Sequence, residues 1–155
     1  MKHPSISRQR GASLIEVLVA FLLLSFGLLG LSGLQINALK NNQSALQRSQ
    51  ATMLAYFMMD AMRANKDDAI AGTYNLGTPG TPPTLACDAP ADTSLVTHDQ
   101  AAWFTAMKAT LGNTNTTCGL VACDGSANCS VRVYWDDSRG VGGANAQFVE
   151  IASQL

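Results

Sequence analysis

At 155 residues, 47% hydrophobic and only 14% charged, the chain has material for one globular domain with a long apolar segment beside it. Its 10 basic and 11 acidic residues leave a formal charge of −1 and no basic cluster of the kind that binds nucleic acid. There is no phosphate-binding glycine loop, no catalytic Cys–His pairing and no spaced set of metal ligands, so neither an enzymatic activity nor a cofactor or metal is expected.

The first element is a short basic leader. Met1 to Arg10 carries Lys2, Arg8 and Arg10, no acid, and little that is apolar. Behind it, Ala12 to Leu34 contains a single ionisable side chain, Glu16. As a helix this stretch spans roughly 35 Å, enough to cross a hydrocarbon core of about 30 Å. Three cations ahead of the span, and none after it until Lys40, place the N-terminus in the cytoplasm and the rest of the chain outside. A secretory signal would have a shorter apolar core followed by a small-residue cleavage site. Here the small pair, Gly11-Ala12, lies between leader and span, so a cut there would remove the leader and keep the helix. The charge balance would then become 7 basic against 11 acidic residues, or −4. Glu16 has two readings. It can be an acid that snorkels to the headgroups from a plain anchor, or an intramembrane carboxylate with a function.

The helix is expected to continue to Asn65. Leu39, Leu46 and Met53 recur at sevens, with Leu54, Phe57, Met58, Ala61 and Met62 on the same side and Asn41, Asn42, Gln43, Gln47 and Arg48 opposite. The cluster Met53, Met58, Met59 and Met62 reads as core under a sheet rather than as a partner-binding surface. Gly27, Gly30 and Gly33, spaced by threes, either admit close helix approach or loosen the helix. A turn is expected at Lys66–Ala71, then a loop over Gly72–Pro90 punctuated by glycine and proline.

Thr97 and Gln100 fit a capping box that opens a second helix over Asp99–Leu111, with Ala102, Trp103, Ala106, Met107 and Thr110 on one face. His98 is then a surface residue of its first turn. Cys129 to Asp136 alternates with period two, placing Val131, Val133 and Trp135 together. Thr117–Cys123 is its expected partner across an Asp124–Asn128 turn, and Ala146–Ser153 supplies a further strand. Asp136 and Asp137 read as solvated turn acids rather than as a cation site. Cys87, Cys118, Cys123 and Cys129 all lie beyond the span, in an oxidising compartment, so disulfides are expected. Four cysteines permit three pairings. The favoured one closes the hairpin with Cys123–Cys129 and pins the loop with Cys87–Cys118.

The leader followed by Gly11-Ala12-Ser13-Leu14-Ile15-Glu16-Val17-Leu18 resembles the class III signal of type IV pilins and type II secretion pseudopilins. That resemblance implies cleavage by a prepilin peptidase after Gly11 and N-methylation of Ala12, where most members have Phe. It makes Glu16 the fifth residue of the mature chain, available to pair with the terminal ammonium of a neighbouring subunit. Arg63-Ala64-Asn65 at the helix end, the tryptophan-bearing second helix and Val133-Tyr134-Trp135-Asp136-Asp137-Ser138-Arg139-Gly140 together look like the PilV type of type IV pilus minor pilin. The implied fold is α+β and pilin-like, a long N-terminal helix on a small antiparallel sheet with one extra short helix. The implied organisation is a leader at 1–11, a transmembrane and filament-core helix at 12–34, its amphipathic half at 35–65 and a periplasmic domain at 66–155. The implied function is pilus assembly and priming (fimbrium biogenesis), in support of adhesion and twitching motility. Implied partners are the peptidase, the other minor pilins, the major pilin and the inner-membrane assembly platform. The implied location is the inner membrane and then the pilus at the cell surface. The alternative is a pseudopilin of a type II secretion pseudopilus, and a membrane-anchored periplasmic binding module that never assembles is a third reading.

Overall fold

The computed structural model describes residue 11 and residues 13–155. Three helices and three strands follow in the order α1 (Leu14–Ala64), α2 (Lys66–Ile70), α3 (Leu95–Leu111), β1 (Cys118–Cys123), β2 (Asn128–Trp135) and β3 (Gln147–Gln154). The fold class is α+β, as expected from the sequence. The chain divides into two compact units that meet between Leu39 and Lys40.

Among the described residues the first unit is the opening half of α1, through Leu39, and none of its helical residues is buried. Phe21, Leu22, Leu23, Leu24, Phe26 and Leu29 are each more than half exposed. An α-helix that is apolar on every side needs an apolar surround, either lipid or other helices. Gly27, Gly30 and Gly33 have open space where a side chain would sit.

In the second unit the α1 face that is buried is Ala51, Leu54, Ala55, Met58, Met59 and Met62, an i, i+3, i+4 series. This corrects the heptad reading. Leu46, Met53 and Phe57 are 57%, 60% and 47% exposed. Neighbouring positions point about 100° apart, so the covered stripe lies one residue round from the series that ends at Met53. Met58, Met59 and Met62 are core, whereas Met53 is not.

The sheet order is β1-β2-β3, antiparallel throughout. Val121, Val131 and Ile151 stand in one row across it, and Gly119, Val133 and Val149 in the next. Val121, Val131, Val133 and Trp135 join the α1 and α3 side chains in one core. The opposite face carries a smaller cluster of Cys118, Leu120 and Tyr134, with Phe148 stacked on Tyr134 at a centroid distance of 5.2 Å. The outer edge of β1 is capped by the loop before α3, through the bridges Leu76–Val121 and Ala86–Gly119.

Three local expectations change. Lys66–Ile70 is a short helix rather than a turn. Helix α3 begins at Leu95, with Ser94 as its cap: Ser94 Oγ accepts from Thr97 N at 3.2 Å, and Thr97 Oγ1 accepts from Ser94 N at 2.8 Å. Gln100, expected to close a box with Thr97, is instead buried and donates to the carbonyl of Tyr74. The buried face of α3 is Val96, Gln100, Trp103, Phe104, Met107 and Leu111, while Thr110 is exposed. Phe104 and Leu111 belong to the core shared with α1 and the sheet, a placement that helical spacing within α3 does not specify.

Candidate processing site and assembly helix

The polypeptide enters α1 through Gly11 and Ser13, both exposed. Gly11 lies outside the helix and has no neighbour within 4 Å of the position a side chain would take. The basic leader and Ala12 lie outside the described residues, so the expected cleavage and methylation positions are represented by Gly11 alone.

Ser13 closes the helix start through its carbonyl, which accepts from Glu16 N at 3.0 Å and from Val17 N at 3.2 Å. Glu16 is therefore the acid of the first turn, and it is exposed. A carboxylate in that turn complements the positive end of the helix dipole. Val17, Ala20, Phe21 and Leu24 line one shallow apolar strip directly after it. The local product is one acid at the head of an uncovered apolar helix.

In the second unit two disulfides are formed, Cys87–Cys118 and Cys123–Cys129. The first ties the loop before α3 to β1, and the second joins residues directly opposite in the β1–β2 hairpin. The hairpin turn is held by Asp124, which accepts from Ser126 N, from Asn128 N and from Asn128 Nδ2 at 2.9–3.0 Å. Those bonds, Asn128 foremost, lower the Asp124 pKa. His98 lies 2.9 Å from Asp92 on the surface, and the hydrogen bond with that carboxylate, then its charge, raises the imidazole pKa. Among the described residues no group of three or more His, Cys, Asp or Glu is placed to hold a metal.

Three polar anchors have no counterpart in the sequence reading. Tyr74 is buried and donates to Asp99 Oδ2 at 2.6 Å. Burial first, and then the Asp99 bond, push its phenol up to about 12. Trp103 Nε1 donates to the Leu54 carbonyl at 2.8 Å. Asp137, expected to be a solvated turn acid, is 5% exposed and accepts a short hydrogen bond from Ser44 Oγ, 93 residues away on α1. Its neighbour Asp136 is exposed, as expected. Asp137 is drawn in because the loop after β2 folds tightly over it. Asp137 N donates to the Ala144 carbonyl at 2.9 Å, Gly140 N donates to the Asp137 carbonyl at 2.8 Å, and Gly143 leaves no room for a side chain beside that carbonyl. The glycine-rich composition of the loop was the available signal, but its partner on α1 was not.

Residues 6–32 match the family model of the prokaryotic N-terminal methylation motif. No curated protein and no solved structure matches the chain. The motif covers the end of the leader from residue 6, the Gly11–Ala12 bond, Glu16 and most of the uncovered apolar helix. Together with an α+β architecture of one long helix and a small antiparallel sheet, it supports a chain of the type IV pilin or pseudopilin kind, processed by a prepilin peptidase and anchored by that helix.

Proposed function

We propose that this chain is a minor pilin, cut by prepilin peptidase between Gly11 and Ala12, methylated on Ala12, and used in priming type IV pilus assembly in support of adhesion and twitching. The observation that carries the reading is the uncovered first half of α1, whose only ionisable side chain is Glu16 and most of which lies within the methylation motif. Before assembly this helix resides in the inner membrane, with the C-terminal domain in the periplasm. In the filament the lipid is exchanged for the helices of the major pilin and other minor pilins, delivered by the inner-membrane platform. The organisation that goes with this is a leader at 1–11, a membrane and filament-core helix at 12–34, its extension at 35–65 and a periplasmic domain at 66–155. The role is structural, as is general for pilin-type chains.

In the mature chain Glu16 lies four residues beyond the new terminal amine, roughly 6 Å further along a helix axis. In a staggered bundle the Glu16 of one subunit reaches the ammonium of the next. Pairing offsets the desolvation of both charges, so the carboxylate selects register and neighbour more than it adds stability.

The test is the intact mass and N-terminal sequence of the membrane-extracted protein, from cells with and without prepilin peptidase. The expected product begins at Ala12, carries one added methyl group, and disappears without the enzyme. A chain that still begins at Met1 overturns the reading. Deletion then separates the two assemblies: loss of pili and twitching fits the minor pilin, whereas loss of protein secretion with pili intact fits the pseudopilin.

A further inference from the structure

The loop before α3 carries a short hairpin that neither the core nor the assembly helix uses. Its two ends are fixed to β1, by the bridges Leu76–Val121 and Ala86–Gly119 and by the Cys87–Cys118 disulfide. Between them Thr78 N donates to the Thr84 carbonyl at 2.9 Å, and Thr84 N donates to the Thr78 carbonyl at 3.0 Å. Gly77, at φ +73°, permits that approach, since a side chain there would strike the Thr84 carbonyl. The segment so closed is Thr78-Pro79-Gly80-Thr81-Pro82-Pro83-Thr84, and its three threonines are all exposed. No charged side chain lies between Asp68 and Asp88. The chemistry on offer at the tip is therefore that of neutral hydroxyls.

Thr81 differs from the other threonines around it. Thr78 and Thr84 each commit their backbone N–H and carbonyl to the bridge. Elsewhere, Thr52 and Thr105 donate their hydroxyls to helix carbonyls, and the hydroxyls of Thr114 and Thr116 bond to each other. Among the described residues Thr81 has no partner for its hydroxyl, its N–H or its carbonyl. Pro82 disfavours helical backbone at Thr81, and threonine among prolines is the composition of O-glycosylated segments. We propose that Thr81 is the acceptor of an O-linked sugar. Its Oγ1 bonds to C1 of the sugar as the bond from C1 to a diphosphate oxygen breaks. The hydroxyl proton passes to a base of the transferase, and the diphosphate leaves on its polyprenol. The proposal rests on the placement of this domain outside the cytoplasm, where a lipid-linked glycosyl diphosphate is the donor class.

The test is peptide mass spectrometry of the full chain, extracted from the membranes of the cells that make it. Electron-transfer fragmentation of the peptide that holds Thr81 locates any added mass. That peptide should exceed its sequence mass by at least one sugar residue, carried on Thr81, and alkaline β-elimination should remove it. Thr81→Val should lose the addition completely, whereas Thr78→Val and Thr84→Val should keep it. Each variant replaces an exposed hydroxyl by a methyl group, and circular dichroism checks that the fold is retained. An unmodified Thr81, a sugar on other residues only, or equal loss in all three variants overturns the inference. The N-terminal peptide of the same digest keeps the two readings apart. An unmodified Thr81 in a chain that begins at Ala12 overturns the inference and leaves the processing. A sugar on Thr81 of a chain that still begins at Met1 supports the inference and overturns only the processing.

Discussion

Trp103 on α3 and Leu54 on α1 are joined by a 2.8 Å hydrogen bond from the indole Nε1 to the Leu54 carbonyl, and both residues are core. The same indole lies against Gly119 of β1, where a methyl group would collide with its six-membered ring. One side chain thus fixes a helix, a second helix and a strand. Trp103→Phe keeps most of the packing but removes the donor, at a cost of about 1–2 kcal/mol. Gly119→Ala overpacks the same contact and costs about 1–3 kcal/mol. Chemical denaturation followed by circular dichroism checks both. The two changes should fall short of additive in combination, since they act on one contact.

The bond from Ser44 to Asp137 makes a second prediction. Ser44→Ala leaves a carboxylate that is 5% exposed without its donor. A loss of about 1–3 kcal/mol in unfolding free energy is expected. Ser44→Thr, which keeps a hydroxyl, should retain most of the stability.

Tyr74 makes the domain sensitive to alkali. Its folded pKa is raised from 10.0 to about 12, so the protonated phenol is favoured in the folded state. The stability this contributes is complete below pH 10 and is lost as the pH rises through about 12. Phenolate absorbance during alkaline titration should show one late-ionising tyrosine. In Tyr74→Phe that late step should vanish.

The two disulfides close loops of different length, 31 and 6 residues in sequence separation. On the chain-entropy account they restrict the unfolded chain by about 4 and about 2 kcal/mol respectively. Replacing Cys87 and Cys118 by Ala should therefore lower the denaturation midpoint more than replacing Cys123 and Cys129. The reverse order would show that the hairpin bridge acts through the main core, which Cys129 joins and Cys118 does not.

Glu16→Ala tests the proposed pairing. Membrane insertion should be unchanged or improved, since a carboxylate in the hydrocarbon costs roughly 2.5–3.5 kcal/mol on insertion scales. Incorporation into sheared filaments should fall sharply, because an unpaired terminal ammonium is destabilising by about 3–5 kcal/mol. Normal incorporation would remove the role assigned to Glu16.

The first unit was legible from sequence because a helix that is apolar on every side is marked by length and composition alone, without any partner elsewhere in the chain. Whether a helix is stable in lipid depends on length and composition, and the residues from Leu14 to Leu34 carry both. The strands were legible for a related reason: Val131, Val133 and Trp135 alternate with period two and all three are buried in the main core. Where the sequence offered two equivalent answers, tertiary contact decided. Leu39, Leu46 and Met53 make as good a helical stripe as Ala51, Leu54, Ala55, Met58, Met59 and Met62, yet the sheet and α3 cover only the second. Thr97 reads from sequence as the cap of α3, but Ser94 caps it and Gln100 bonds to Tyr74. The glycine-rich loop after Asp137 was the one local signal of its burial, and its donor is 93 residues away. Periodicity reports which residues share a face, but the choice among faces is made by partners distant in sequence, through close packing and the requirement that buried polar groups be bonded.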